Sequence, residues 1–145
     1  LAHSSRDKEH LGIDSNVLIA YLVQTHPDHQ RVIALQTKHH AVNPTVIHET
    51  YHTFVFKLKV EPKVAARLLL EYIKGTLFLD IKYSDTEIGL KIASEYGLGG
   101  RDSLILAPFV MSPQVTKFIT FDSQLLNLKI SYGDRKLAII SPDRL

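Results

Sequence analysis

Apolar residues along this chain alternate between short continuous runs and longer stretches where they recur every three or four positions. The first pattern suits buried strands and the second suits helices with one inward face. Leu11-Gly12-Ile13 predicts a first strand, and Val17, Leu18, Tyr21 and Leu22 predict the helix after it. His26-Pro27-Asp28 breaks that helix, and Asp28 can cap a second one carrying Val32, Ile33 and Leu35 towards His39. Ala41-Val42 reads as a second strand. Pro44 suits the first turn of a third helix, striped by Ile47, Tyr51, Phe54, Val55 and Leu58. Glu61-Pro62 opens a fourth, with Ala65, Leu68, Leu69, Tyr72 and Ile73 facing inward and Gly75 as its stop. Leu77–Ile81 is strand-like. Ser84 or Asp85 caps a fifth helix that ends at Tyr96-Gly97. A sixth helix runs from Asp102 to about Val110, followed by a strand over Val115–Phe121. A short helix over Ser123–Leu128 and a last strand over Leu137–Ile140 complete the reading. Strands alternating with helices predict an α/β fold, a parallel sheet covered on both faces in three α/β/α layers.

Four acidic residues stand at informative places in this pattern. Asp14 and Asp122 each follow an apolar run, where a strand should end. Glu49 and Asp102 lie near the starts of predicted helices. In an open α/β sheet these places converge on the crevice beyond the carboxyl ends of the strands. Each has an ordinary explanation by itself: Asp14, Asp102 and Asp122 could cap helices, and Glu49 could be a solvated helical residue. Together, four carboxylates in one crevice would repel unless a cation lay between them. Hard cations with oxygen ligands, Mg²⁺ or Mn²⁺, are the natural guests, and phosphodiester hydrolysis is the chemistry such a site supports. Ser15, Asn16 and Thr120 are placed to hold these carboxylates or a bound water, and Arg101 could pair with a carboxylate or meet a phosphate.

The strings carrying these acids resemble the motifs of the PIN-domain nucleases. Ile13-Asp14-Ser15-Asn16-Val17-Leu18-Ile19 is similar to the family's opening motif. Helical Glu49, the Gly-Arg-Asp-Ser-Leu-Ile-Leu-Ala run around Asp102 and Ile-Thr-Phe-Asp ending at Asp122 resemble the other three. The likeness spans about Leu11 to Leu145 and is nearest to small prokaryotic VapC-type toxin ribonucleases. It implies a single nuclease domain over residues 11–145, with Asp14, Glu49, Asp102 and Asp122 holding Mg²⁺ or Mn²⁺ for cleavage of RNA. It further implies a cytoplasmic homodimer and, for a toxin, inhibition by a small antitoxin protein. A stand-alone RNA-processing enzyme would present the same residues. The chain departs from many relatives in the Ser-Gln-Leu-Leu after Asp122 and in a longer, polar stretch over Lys129–Lys136.

Composition narrows the field. The chain has 145 residues, 45% hydrophobic and 22% charged, which suits one globular domain. Cysteine is absent, which excludes disulfides and thiolate chemistry. No apolar run reaches the roughly 20 residues of a membrane helix. The net charge of +2 is not that of a protein coating nucleic acid, though setting four acids aside leaves a mildly basic body. Residues 1–10 are polar and begin with Leu, and are expected to be disordered or a non-native end. Lys57, Lys59, Lys63, Arg67 and Arg101 are candidates for meeting RNA.

One competing motif lies in the same helix. His48-Glu49-Thr50-Tyr51-His52 matches H-E-x-x-H, which binds Zn²⁺ through its histidines in metallopeptidases. Glu71 is then the candidate third ligand. That reading leaves Asp14, Asp102 and Asp122 unexplained. An inactive RNA-binding module is the third reading, and it gives no reason for all four acids to be present.

Overall fold

The computed structural model describes residues 8–145. Its strands are β1 (His10–Ile13), β2 (His39–Val42), β3 (Leu77–Phe78), β4 (Val115–Ile119), β5 (Lys129–Tyr132) and β6 (Arg135–Ile140). Its α-helices are α1 (Ser15–Leu22), α2 (Pro44–His52), α3 (Pro62–Ile73), α4 (Tyr83–Tyr96) and α5 (Gly100–Met111). The strands form one sheet in the order β3-β2-β1-β4-β6-β5. All neighbours are parallel except β5, which runs antiparallel to β6. The predicted α/β fold is therefore present, with one antiparallel edge strand added. The polar stretch Lys129–Lys136 supplies that strand and its turn at Gly133, whose φ of 62° suits a residue without Cβ.

Several elements differ from the sequence reading. His10 already belongs to β1, whereas residues 1–7 lie outside the described residues, and the expectation for them with them. The second helix is a 3-10 helix over His29–Thr37. The third changes at Thr53 into a π-helical turn, Thr53–Lys57. Ser123–Leu128 forms no helix; Leu125 and Leu126 amides turn back onto the Asp122 carbonyl. Asp85 closes the start of α4 by accepting from the Lys82 amide at 2.8 Å.

Topology fixes where a site can form. The chain steps outward from β1 to β2 to β3, then returns across the sheet to β4 beside β1. Parallel crossovers are right-handed, so the helices of the outward steps lie on one face and α4 and α5 on the other. The direction reverses between β1 and β4, the place where open α/β sheets carry their sites, beyond the strand ends. Ile13, Phe118 and Ile119, all fully buried, bring both strands to that point. Gly12 lets them close up: an added Cβ would stand 3.1 Å from Phe118 Cδ1 and 3.2 Å from the Phe109 ring.

Candidate active site

Asp14 is the residue immediately beyond β1, and its amide still bonds the Ile119 carbonyl at 3.0 Å. The carboxylate is thereby held, buried, between the ends of β1 and β4. Oδ1 accepts from the Ser15 amide at 2.8 Å, capping α1, and Oδ2 accepts from the Thr120 hydroxyl at 2.7 Å. The cap reading of Asp14 therefore holds, and the same side chain also bonds across to the end of β4. Thr120 is fully buried, and its oxygen also accepts from the Asp122 amide at 3.0 Å and Asn16 Nδ2 at 3.4 Å. Asn16 Oδ1 in turn accepts from the Phe121 amide at 3.2 Å. Ser15, Asn16 and Thr120 thus tie the ends of β1 and β4 into one polar net.

Glu49 joins this net from α2. Its Oε1 accepts from the Ser15 hydroxyl at 3.1 Å, and its Oε2 lies 3.0 Å from Arg101 Nε at the start of α5. Of the two alternatives for Arg101, the structure shows the carboxylate pairing, made by a side chain that is 77% exposed. Asp102, the next residue, is close enough for its charge and that of Glu49 to raise the pKa of Asp14. Burial is the larger cause, and the Asp14 carboxyl is pushed up to about 6 against its two hydrogen bonds. Asp122 is half-buried and turns Oδ1 to the Gln124 amide at 2.9 Å. It reaches the net through its backbone rather than its carboxylate.

The structure thus brings Asp14, Glu49 and Asp102 into one electrostatic neighbourhood and leaves Asp122 at its rim. Every donor is a hard oxygen, and the Asp14 carboxyl is raised first by burial and then by the charges of Glu49 and Asp102. The donor chemistry fits Mg²⁺ or Mn²⁺. As they stand, no three His, Asp or Glu side chains among the described residues are gathered tightly enough to enclose an ion. Arg101 supplies the counter-charge at Glu49 instead.

Among the described residues the zinc arrangement is not assembled either. His48 and His52 are exposed on α2, and Glu71 lies on α3, paired with Lys74 at 3.2 Å. Among the described residues these three do not form a ligand set.

Sequence reasoning missed Asn43. It is fully buried, caps α2 by accepting from the Val46 amide at 3.1 Å, and donates to the Ile105 carbonyl of α5 at 2.9 Å. One side chain therefore sets the helix bearing Glu49 against the helix bearing Asp102. An Asn-Pro pair before an apolar stripe signals the cap. Nothing local signals the second bond, to a residue 62 positions away.

Fold and site together define an α/β protein with an acidic cluster at its strand switch point. The PIN domain family model matches residues 12–130, and the chain belongs to that family. By sequence, no curated protein matches it. Solved structures carry the same fold at low identity. VapBC from Salmonella typhimurium, solved bound to DNA, superposes with a TM-score of 0.64 at 14% identity, over 92% of this chain and 98% of that one. The Mycobacterium tuberculosis toxin VapC20, described as cleaving the sarcin-ricin loop, gives 0.62 at 12% identity, over 78% and 90%. VapBC2 from Rickettsia felis, bound to a promoter DNA fragment, gives 0.59 at 11% identity, over 90% and 97%.

Proposed function

We propose that this PIN-domain chain is a metal-dependent endoribonuclease that hydrolyses RNA phosphodiester bonds, and that it is the toxin half of a toxin–antitoxin pair. The observation that carries the nuclease reading is the buried Asp14 carboxylate at the switch point, its charge destabilised by burial, Glu49 and Asp102. Asp14, Glu49, Asp102 and Asp122 are the proposed catalytic and metal-holding residues. A bound Mg²⁺ or Mn²⁺ would supply a water of lowered pKa and neutralise charge on the phosphate.

The chain's own residues do the positioning. Thr120 and the Ser15 amide fix both oxygens of Asp14. Ser15 holds one oxygen of Glu49, leaving the other to Arg101. Glu49 would help to hold the ion, and Arg101, paired with Glu49 and 77% exposed, would meet a substrate phosphate. Asp122 would have to turn from the Gln124 amide to take part. Loss of one carboxylate should slow cleavage on the order of 10²-fold or more.

The toxin reading is supported by the VapBC complexes among the structural relatives. On it, a small antitoxin protein is the partner, the chain works as a homodimer, and the cytoplasm is its compartment. Among the described residues no helix is long and apolar enough to cross a membrane. A stand-alone RNA-processing enzyme would keep the same chemistry and lack the antitoxin.

The test is incubation of a mixed RNA panel with Mn²⁺, Mg²⁺, Zn²⁺ or EDTA, for wild type, Asp14→Asn and His48→Ala. Cleavage is expected with Mn²⁺ or Mg²⁺, lost with Asp14→Asn and, at saturating RNA, retained with His48→Ala. Activity that follows zinc and His48 would overturn the reading.

A further inference from the structure

The face of α2 that bears Glu49 does not end at the carboxylates. A shallow depression of about 440 Å³ is lined by Pro44, Thr45, His48, Glu49 and His52. Beyond its rim stands Phe56, whose ring lies 4.8 Å from that of His52 at 35°. Phe56 is 58% exposed, so a large apolar ring stands in solvent beside an exposed imidazole. The π-helical turn Thr53–Lys57 carries it, closed by the Leu58 amide on the Thr53 carbonyl at 3.0 Å. Such turns add a residue to the helical repeat and re-aim the side chains they carry. Lys57 and Lys59, both exposed, follow directly.

We propose that His48, His52 and Phe56 form a stacking ledge for unpaired bases of an RNA strand whose backbone passes Arg101 beside the carboxylate cluster. The inference rests on the ribonuclease reading and adds to it where the strand is gripped: by its base faces, along α2 and the π-helical turn, on one side of the cut. Seven residues separate Glu49 from Phe56, about 10 Å along a helix. Stacked nucleotides advance about 3.4 Å each, so the ledge spans two to three of them. Aromatic and imidazole faces take any base, and cations at the end of the track suit the backbone. Ile47, Tyr51, Leu70 and Phe78 line an apolar pocket that also takes in His48. A protein helix would fit that pocket better than a row of imidazoles flanked by lysines.

The experiment is fluorescence anisotropy in EDTA with a short unpaired RNA and with the same backbone carrying abasic residues. The double variant His52→Ala/Phe56→Ala should bind the RNA roughly tenfold or more weakly than wild type. It should bind the abasic strand as wild type does, and His52→Tyr/Phe56→Trp should restore affinity. Equal RNA affinity of wild type and the alanine variant would overturn the ledge and leave the stripe to a protein contact. Equal losses on both strands would also overturn it, because stacking would not be the cause. Wild type that still cleaves RNA in either case keeps the nuclease reading; wild type that neither binds nor cleaves RNA removes both.

Discussion

Replacing Asp14 with Asn should stabilise the protein at neutral pH while destroying its activity. Folded Asp14 holds its proton up to about pH 6, against 3.8 for an ordinary aspartate. The gap corresponds to about 3 kcal/mol of unfavourable ionisation in the folded state. That cost is absent below the unfolded value of 3.8, grows as pH rises to about 6, and is constant above it. Asn carries no charge and never incurs it. Its amide oxygen can still accept from the Ser15 amide. Its NH₂ faces a Thr120 oxygen that already accepts from Asp122 and Asn16, so the Thr120 proton loses its acceptor. That loss costs about 1 kcal/mol. Asp14→Asn should therefore be about 2 kcal/mol more stable near pH 8 and about 1 kcal/mol less stable at acid pH, crossing near pH 4.5. Urea unfolding in EDTA across this range measures both limbs. Saturating Mn²⁺ should then raise wild type by about 3 kcal/mol at a hundredfold excess over its Kd, and Asp14→Asn by much less. A variant less stable than wild type at pH 8 in EDTA, or a difference that ignores pH, would refute the reasoning.

Other expectations follow from the packing around the site. Asn43→Ala removes a cap and the buried bond that ties α2 to the Ile105 carbonyl of α5, which should cost about 1–3 kcal/mol in urea unfolding. Gly12→Ala forces a methyl into the Phe109–Phe118 contact and should cost about 1–3 kcal/mol, with loss of near-ultraviolet aromatic ellipticity. His40 is buried between the Tyr72 hydroxyl and the Leu35 carbonyl, and burial lowers its pKa below 6.5. Its neutral form is favoured in the fold, so its contribution is complete above pH 6.5 and is lost as pH falls below it. His40→Phe should flatten the acid limb of the stability profile, measured by urea midpoints between pH 7 and 5.

Much of the site was legible because strand ends are legible. An apolar run followed by Asp, twice, pointed to Asp14 and Asp122 at strand ends; β1 and β4 are neighbours in the sheet, Asp14 follows β1 directly, and Asp122 lies three residues beyond the end of β4. Glu49 could be separated from the core because it stands off the Ile47–Tyr51–Phe54 stripe. The carboxylate directions were not legible: Asp122 turns towards Gln124 because the chain reverses there instead of entering a helix. The β5–β6 hairpin was hidden by its composition, since an edge strand with one open side tolerates polar residues that a central strand does not. The 3-10 and π turns reflect small shifts in hydrogen-bond register, which apolar periodicity is too coarse to resolve. The double role of Asn43 depends on a partner 62 residues away, beyond any local pattern.

The central claim is that the carboxylates around Asp14 hold the ion that cleaves RNA. Its most direct test is the single-turnover cleavage rate of one RNA across a Mn²⁺ titration, for wild type, Asp14→Asn and Asp102→Asn. The account predicts a rate that saturates with Mn²⁺ in wild type, vanishes in EDTA, and falls on the order of 10²-fold or more in both variants. Cleavage that persists in EDTA, or that proceeds at the wild-type rate in Asp14→Asn, would contradict it.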